Sequence, residues 1–298
     1  MNVASRIALG TAQFGLDYGV TNATGRIAEQ TTAAVLARAR ELGIAWLDTA
    51  AAYGSAEAVL GRLAGTDPGW RICTKAASAN DGADLVAHAR RQFGESLTRL
   101  GRSHVELLMI HDAQQLLGEQ GAALYGWLAQ QKKDSAAQAI GASVYDGAQA
   151  LRIAERYALD WVQLPLNALD QRPLHDGTLA QLKRAGVKVQ ARSALLQGLL
   201  LADPQRLPAA FSAARAPLTR FRDSAGARGM TPLQLALGFV AQLAEVDLIV
   251  LGVESVAQLD DCVAALGGAV IDSAQMLSCD DLDVIDPRRW PAGVRITH

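Results

Sequence analysis

Several features that mark other classes of protein are scarce in this chain of 298 residues. The formal net charge is −2 and only 5% of the residues are aromatic, so neither a basic patch nor a stacking platform for nucleic acid is expected. No apolar run approaches the roughly 20 residues that span a bilayer, and the first residues lack the apolar stretch of a signal peptide. We therefore expect no nucleic-acid partner and no membrane partner.

Cysteine is also rare. The three cysteines, Cys73, Cys262 and Cys279, form no Cys-x-x-Cys pair, and an odd number cannot all pair within one chain. The five histidines show no spacing typical of metal ligands, so no metal site is predicted. A reducing cytoplasm is the simplest setting for such a chain.

Short apolar segments alternate with longer segments of helical periodicity along most of the chain. The short segments are apolar on both faces, which is typical of strands in a parallel sheet covered on both sides. The predicted strands are Ile7–Gly10, Ile44–Asp48, Arg71–Lys75, Val105–His111, Gln138–Ser143, Trp161–Leu164, Val187–Ala191 and Leu248–Gly252. The predicted helices are Thr31–Leu42, Leu85–Leu100, Leu151–Tyr157, Leu179–Ala185, Pro232–Leu243 and Val256–Leu266.

This alternation favours the α/β class and a closed (β/α)8 TIM barrel that forms a single domain over residues 1–298. An open dinucleotide-binding sheet is disfavoured because Gly10–Gly15, after the first strand, lacks the GxGxxG spacing. The long insertion after strand 7, Ser193–Glu245, contains helical patterns and is expected to cover or bind a ligand. A C-terminal helical extension is expected after Leu266, followed by an irregular end.

Four chemically active side chains fall at or just after the ends of three successive predicted strands. They are Asp48, Tyr53, Lys75 and His111. Each alone is a weak signal, because such residues commonly cap helices, pack in loops or face solvent. Together they point to an active site, since barrel enzymes carry their catalytic groups on the C-terminal rim of the strands.

The chemistry of this set can be worked out from the side chains. A phenol has an ordinary pKa of about 10, and a neighbouring ammonium such as Lys75 favours the phenolate and lowers that pKa. Asp48 would keep Lys75 charged, Tyr53 would act as general acid or base, and His111 would orient a carbonyl oxygen. No side chain supplies hydride, so the set implies a nicotinamide cofactor.

The segments LDTAAAYG, TKA and MIHD resemble those that carry the catalytic tetrad of the aldo-keto reductases. LGTAQFG and IGASV are similar to the first-strand and fifth-strand segments of that family, and the likeness extends from about Ile7 to Leu266. The resemblance implies reversible, NADP(H)-dependent reduction of an aldehyde or ketone. We expect a monomer or a weak homo-oligomer whose partner is a small-molecule carbonyl compound.

The resemblance also implies a cofactor site. Ser143 and Gln163 would hold the nicotinamide carboxamide, and Arg192 stands where the family commonly has an aromatic residue. Its guanidinium could stack on the nicotinamide or instead contact a phosphate or a carboxylate. The other implied cofactor residues are Gly10, Thr11, Ser193, Leu195, Gly198, Gly252, Glu254, Gln258 and Asp261. Gln13, Phe14, Tyr18 and Asp112 are expected to line a substrate pocket suited to a sugar, another polar carbonyl or an aryl aldehyde.

The choice between the two nicotinamide cofactors stays open. The stretch LGVESVAQLDDC has no basic residue to bind the 2′-phosphate of NADP(H), and Glu254 could accept a hydrogen bond from the ribose hydroxyl of NAD(H) or be a solvated helix-start residue. NADP(H) is the first expectation on the resemblance and NAD(H) the alternative. Two other functions remain as alternatives: a Schiff-base lyase that uses Lys75, and a non-catalytic, nucleotide-binding regulatory barrel.

Overall fold

The computed structural model describes residues 3–22, 24–76, 82, 84–266, 271 and 277–296. All eight strands are parallel, each pairs with the next one along the chain, and the last pairs with the first, which confirms the predicted (β/α)8 barrel. The strands are β1 (Ile7–Gly10), β2 (Trp46–Asp48), β3 (Arg71–Ala76), β4 (Val105–Ile110), β5 (Ala137–Ser143), β6 (Trp161–Pro165), β7 (Lys188–Arg192) and β8 (Val246–Gly252).

Twelve α-helices lie around this barrel in the part of the chain that the structure describes. They are α1 (Ala12–Gly15), α2 (Glu29–Glu41), α3 (Ala56–Ala64), α4 (Leu85–Leu100), α5 (Gly121–Lys133), α6 (Gly147–Arg156), α7 (Arg172–His175), α8 (Thr178–Arg184), α9 (Arg215–Ala227), α10 (Pro232–Ala241), α11 (Val256–Leu266) and α12 (Leu282–Ile285). None of the described helices is long and apolar enough to cross a membrane. The sequence did not predict α1, α3, α5 or α7, and α9 lies within the insertion that was expected to be helical. α6 begins earlier than predicted because Asp146 caps it.

The expected insertion after β7 is helical, as predicted. It begins with a short 3-10 segment, Leu196–Leu201, on the rim of the barrel, and continues through two further 3-10 turns into α9 and α10. The predicted helix directly after Leu266 lies largely outside the described residues. Beyond it, α12 and the turn Pro287–Arg289 pack back on the insertion, where the rings of Phe211 and Trp290 meet at 5.3 Å.

The core has two parts, one between the barrel and its helices and one inside the barrel. Inside, Cys73, Leu107 and Trp161 belong to an apolar cluster. Side chains alternate in direction along a strand, so the next inward position lies two residues further on. In β2 and β3 those positions are Asp48 and Lys75, and the barrel interior therefore turns polar at the C-terminal ends of the strands.

Candidate active site

A buried ion pair forms the floor of the site. Lys75 Nζ lies 2.6 Å and 2.8 Å from the two carboxylate oxygens of Asp48, and donates a third hydrogen bond of 3.0 Å to the carbonyl of Thr49. The two side chains are 0% and 3% exposed. Burial, the largest single effect, lowers the pKa of Lys75, but the charge and hydrogen bond of Asp48, together with Tyr53 and Cys73, outweigh it and raise that pKa above its usual value. Lys75 is therefore an ammonium at neutral pH.

Tyr53 and His111 lie beside this ion pair. Lys75 Nζ is 5.3 Å from the centre of the Tyr53 ring, and the imidazole of His111 meets that ring edge-on at 5.8 Å. Burial raises the pKa of Tyr53, and the Lys75 ammonium opposes that shift without cancelling it. The sequence-based expectation of a lowered pKa is therefore wrong for the site as it stands, because desolvation outweighs the charge of the ammonium. The phenol keeps its proton at neutral pH.

His111 is held in its neutral form. Burial first, and then the positive charges of Lys75 and Arg192, lower the pKa of His111 to about 3. A neutral imidazole can donate one hydrogen bond from a ring nitrogen without adding charge to the pocket.

An amide network holds the carboxylate of Asp48 from the opposite side. Gln163 Nε2 donates to Asp48 Oδ2 at 2.7 Å and to Gln190 Oε1 at 2.8 Å, and the hydroxyl of Ser143 donates to Gln163 Oε1 at 3.4 Å. Sequence reasoning missed Gln190. A signal was present, since it is a single polar amide between apolar residues of a buried strand.

A cavity of about 400 Å³ runs from the ion pair towards the start of α11. Every predicted cofactor residue except Ser143 lines this cavity. Its far end is acidic, with Glu254 and Asp261, while the side chain of Arg192 lies at its inner end.

The backbone after β7 forms an unusual wall of this cavity. Ser193, Leu196, Gln197 and Gly198 have φ values of +59°, +48°, +53° and +90°. Residues other than glycine rarely adopt such angles, and strain of this kind clusters at ligand-binding segments. Gly198 is required here because a Cβ would collide with the hydroxyl of Thr21.

A second, adjoining pocket of about 250 Å³ has Tyr53 and His111 in its wall, and Ser143 lies here. Of the predicted substrate residues, Tyr18 lines both this pocket and the larger cavity, whereas Gln13 lines the larger cavity only. Asp112 lines an outer recess and caps the 3-10 turn Ala113–Leu117. The prediction for Phe14 is wrong: its ring is 1% exposed and packs in the main core.

Several lining residues of the smaller pocket escaped sequence reasoning, among them Arg172, Tyr145 and Arg288. Arg288 could not have been found by position along a strand, because it comes from the C-terminal segment after α12. Its guanidinium carbon lies 3.8 Å from the centre of the Tyr145 ring, and this contact ties that segment to the loop after β5. Among the residues that the structure describes, no group of three or more His, Cys, Asp or Glu side chains is arranged to hold a metal ion.

The chain belongs to the aldo/keto reductase family, whose model matches residues 6–284. Members of this family are oxidoreductases that use a nicotinamide cofactor, and this chain is an enzyme of that class.

Named relatives agree with this assignment. The chain is 26% identical to L-galactose dehydrogenase of Arabidopsis thaliana, across 91% of this chain and 90% of the plant protein. It is 31% identical to an aldo-keto reductase of Mycobacterium sp. (strain MCS) across 53% of each chain. Among solved structures, the holo form of aldo-keto reductase AKR11C1 from Bacillus halodurans superposes with a TM-score of 0.74, at 19% identity over 95% of both chains. That last likeness supports the fold alone.

Proposed function

We propose that this chain reversibly reduces the carbonyl group of a small aldehyde or ketone, with Tyr53 as the general acid and Asp48, Lys75 and His111 as its supporting set. The observation that carries the proposal is the buried Lys75–Asp48 pair beside a protonated phenol at the junction of two cavities. Free, buried cysteines suit a reducing cytoplasm, and a monomer or weak homo-oligomer is the proposed state.

Each side chain has a separate task in this reaction. Tyr53 donates its proton to the carbonyl oxygen as that oxygen gains negative charge, a step typically worth about 10²–10⁴-fold in rate. Lys75 stabilises the phenolate that remains, and Asp48 keeps Lys75 charged and in position. The neutral His111 donates a hydrogen bond that orients the same carbonyl oxygen.

The residues of the larger cavity fit a nicotinamide dinucleotide. Gln163, in this cavity, and Ser143, in the wall of the adjoining smaller pocket, offer an amide and a hydroxyl to the carboxamide. The left-handed segment Ser193–Gly198 offers backbone donors to phosphate oxygens. The start of α11 at Val256 adds the positive end of a helix dipole. When bound, the cofactor supplies the hydride that no side chain can provide.

The adenosine end of the cavity favours NAD(H) over the NADP(H) expected from the resemblance. Among the described residues, the charged lining at that end consists of the carboxylates Glu254 and Asp261, and the cavity is lined by no lysine and by no arginine other than Arg192 at the opposite end. A 2′-phosphate would meet negative charge there, whereas a ribose hydroxyl could donate to a carboxylate.

The Schiff-base alternative fits the site less well. An imine-forming lysine must be available as a neutral amine, but the pKa of Lys75 is raised and all three of its ammonium hydrogen bonds go to Asp48 and Thr49. The experiment below distinguishes a reductase from a regulatory barrel that binds nucleotide without turnover.

The test is the change Tyr53→Phe, assayed with NADH and NADPH against a panel of aldehydes and ketones at 340 nm. We expect reduction to fall by at least about 100-fold, because the general acid is removed, while cofactor binding measured by fluorescence titration stays near the wild-type value. Leu16→Ala, a change in a partly exposed side chain that lines none of the cavities, is the control and should leave both unchanged. Reduction near the wild-type rate in Tyr53→Phe would show that Tyr53 is not the general acid. If the wild-type protein bound the cofactor but reduced no compound of the panel, the regulatory alternative would be favoured.

A further inference from the structure

Three arginines, Arg172, Arg192 and Arg288, line the small pocket that also contains Tyr53 and His111. Two of them already form a bidentate ion pair with a nearby carboxylate. Arg172 donates two hydrogen bonds of 2.7 Å to the oxygens of Asp170, and Arg288 binds both oxygens of Asp286 at 2.9 Å and 2.5 Å. Their charges are therefore balanced before any ligand arrives.

Arg192 differs from the other two. Among the described residues it forms no ion pair, and its guanidinium donates only to the carbonyl of Val144 at 3.0 Å and the hydroxyl of Ser193 at 3.5 Å. Its Nε is buried without an acceptor. A guanidinium in a pocket without a counter-ion is unfavourable, because the desolvation of the charge is not compensated.

The remaining charges of the pocket cancel in pairs. Lys75 is balanced by Asp48, and His111 is neutral at physiological pH because its pKa is about 3. Asp286 is balanced by Arg288, and Asp170 by Arg172. The carboxylate of Asp146 also acts on Arg172 and Arg288. Of the three arginines, Arg192 is the one without a carboxylate partner among the described residues.

The guanidinium of Arg192 faces the substrate side. The residue lines both cavities, but its guanidinium carbon lies 5.0 Å from the centre of the Tyr145 ring, and Tyr145 lines the small pocket and not the larger cavity. Arg192 also lowers the pKa of Tyr53 and of His111 in part, so its charge acts at the reacting centre.

We propose that the substrate of this enzyme is an anionic carbonyl compound, whose carboxylate or phosphate group is bound by Arg192 while its carbonyl meets Tyr53 and His111. This rests on the proposed carbonyl reduction and names its substrate class. Arginine presents a planar fork of donors that matches both carboxylate and phosphate oxygens. The guanidinium of Arg192 selects against a neutral analogue of the same shape, because such an analogue leaves this charge unpaired.

The first experiment uses two pairs of substrates, each with a neutral and an anionic member. Methyl 4-formylbenzoate and 4-formylbenzoate share the same aldehyde and ring, and glyceraldehyde with glyceraldehyde 3-phosphate forms the phosphate arm. We expect kcat/KM to be at least about 10-fold higher for the anionic than for the neutral member of one or both pairs, and the pair with the higher ratio identifies the anionic group. In Arg192→Gln the ratio of anionic to neutral kcat/KM should fall about 10- to 100-fold. Arg184→Gln, on the exposed face of α8, is the matched control and should keep the wild-type ratio.

The second experiment does not depend on turnover. Benzoate and benzamide are titrated by calorimetry into the wild-type protein and Arg192→Gln, with and without NADH. If the wild type bound benzoate more tightly than benzamide, lost this preference in Arg192→Gln and yet reduced no carbonyl compound, the anion site would be supported and the proposed reductase activity would be wrong. Equal reduction of neutral and anionic substrates by the wild type would overturn the anion site and leave the reductase standing. Should Arg192→Gln fail to fold, Arg192→Lys, which keeps the charge but not the fork, is expected to retain part of the preference.

Discussion

Two layers of side chains fill the barrel interior, and they differ in chemistry although they come from the same strands. In the layer nearer the N-terminal ends, Trp46, Cys73 and Trp161 pack with other apolar residues, and the two indole rings meet edge to face at 5.9 Å. Two residues further along the same strands, the inward positions are Asp48, Lys75 and Gln163.

Both layers come from the same strands, so the difference lies in the energetics of the side chains. The apolar layer stabilises the fold through burial alone. The polar layer buries a charged pair, which is tolerated only where hydrogen bonds satisfy it, and Thr49 and Gln163 complete that set of bonds. A barrel can therefore use one layer of inward-facing side chains for stability and the next layer for catalysis.

The largest effect is expected from Lys75→Met, which breaks the polar layer. The change leaves the Asp48 carboxylate buried without its counter-ion, so the free energy of unfolding should fall by about 3–5 kcal/mol. Carbonyl reduction should also fall by at least about 100-fold, because nothing stabilises the Tyr53 phenolate. Denaturant unfolding and steady-state assays measure the two losses.

Leu107→Ala, in the apolar layer, separates the two kinds of loss. Leu107 is fully buried, so this variant should lose about 2–5 kcal/mol of stability, yet keep its rate per folded molecule well below the melting temperature. A comparable loss of rate in Leu107→Ala would mean that the layers do not act separately.

A smaller effect is expected at the far end of the cofactor cavity, where the lining carries carboxylates and not an ion pair like that of Lys75 and Asp48. Glu254→Lys replaces a negative charge with a positive one beside the proposed ribose site, so the NADPH/NADH ratio of kcat/KM should rise about 10-fold or more. Glu245→Lys, in the turn before β8 and away from the cavity lining, makes the same change in charge and should leave the ratio unchanged. An unchanged ratio in Glu254→Lys would show that this side chain does not face the ribose.

The layered interior also explains what could be predicted from the sequence. The strands were found because their residues are apolar on both faces, and the four proposed catalytic residues because each lies at or just after a strand end. Arg288 was not found, because its approach to Tyr145 depends on how the chain after α12 returns to the rim. Phe14 was misassigned, since nothing local to a four-residue helix tells which side packs inward. The pKa of Tyr53 was misjudged in direction because charge can be read from a sequence, whereas the depth of burial cannot.

The smallest effect concerns acid stability and comes from His111, at the edge of the polar layer. Its pKa is about 3 in the folded protein, against about 6.5 in an unfolded chain. Between these pH values His111 is protonated in the unfolded state but neutral in the folded state. The contribution of His111 to stability is therefore complete above pH 6.5 and is lost as the pH falls. His111→Gln removes that dependence. The fall in melting temperature from pH 7.5 to pH 5 should therefore be smaller in the variant than in the wild type, by about 2 °C.

The control for this measurement is His104→Gln, because His104 lies on the surface near Glu106 and away from the cavities. Its melting temperature should follow the wild-type pH dependence. If His111→Gln followed it as well, the imidazole of His111 would be gaining its proton near the ordinary pH. It would then be charged in mild acid, and its hydrogen bond to a carbonyl oxygen would come from an imidazolium. Carbonyl reduction by the wild type would in that case change between pH 7.5 and pH 5 with the titration of His111, whereas a neutral His111 leaves no such step.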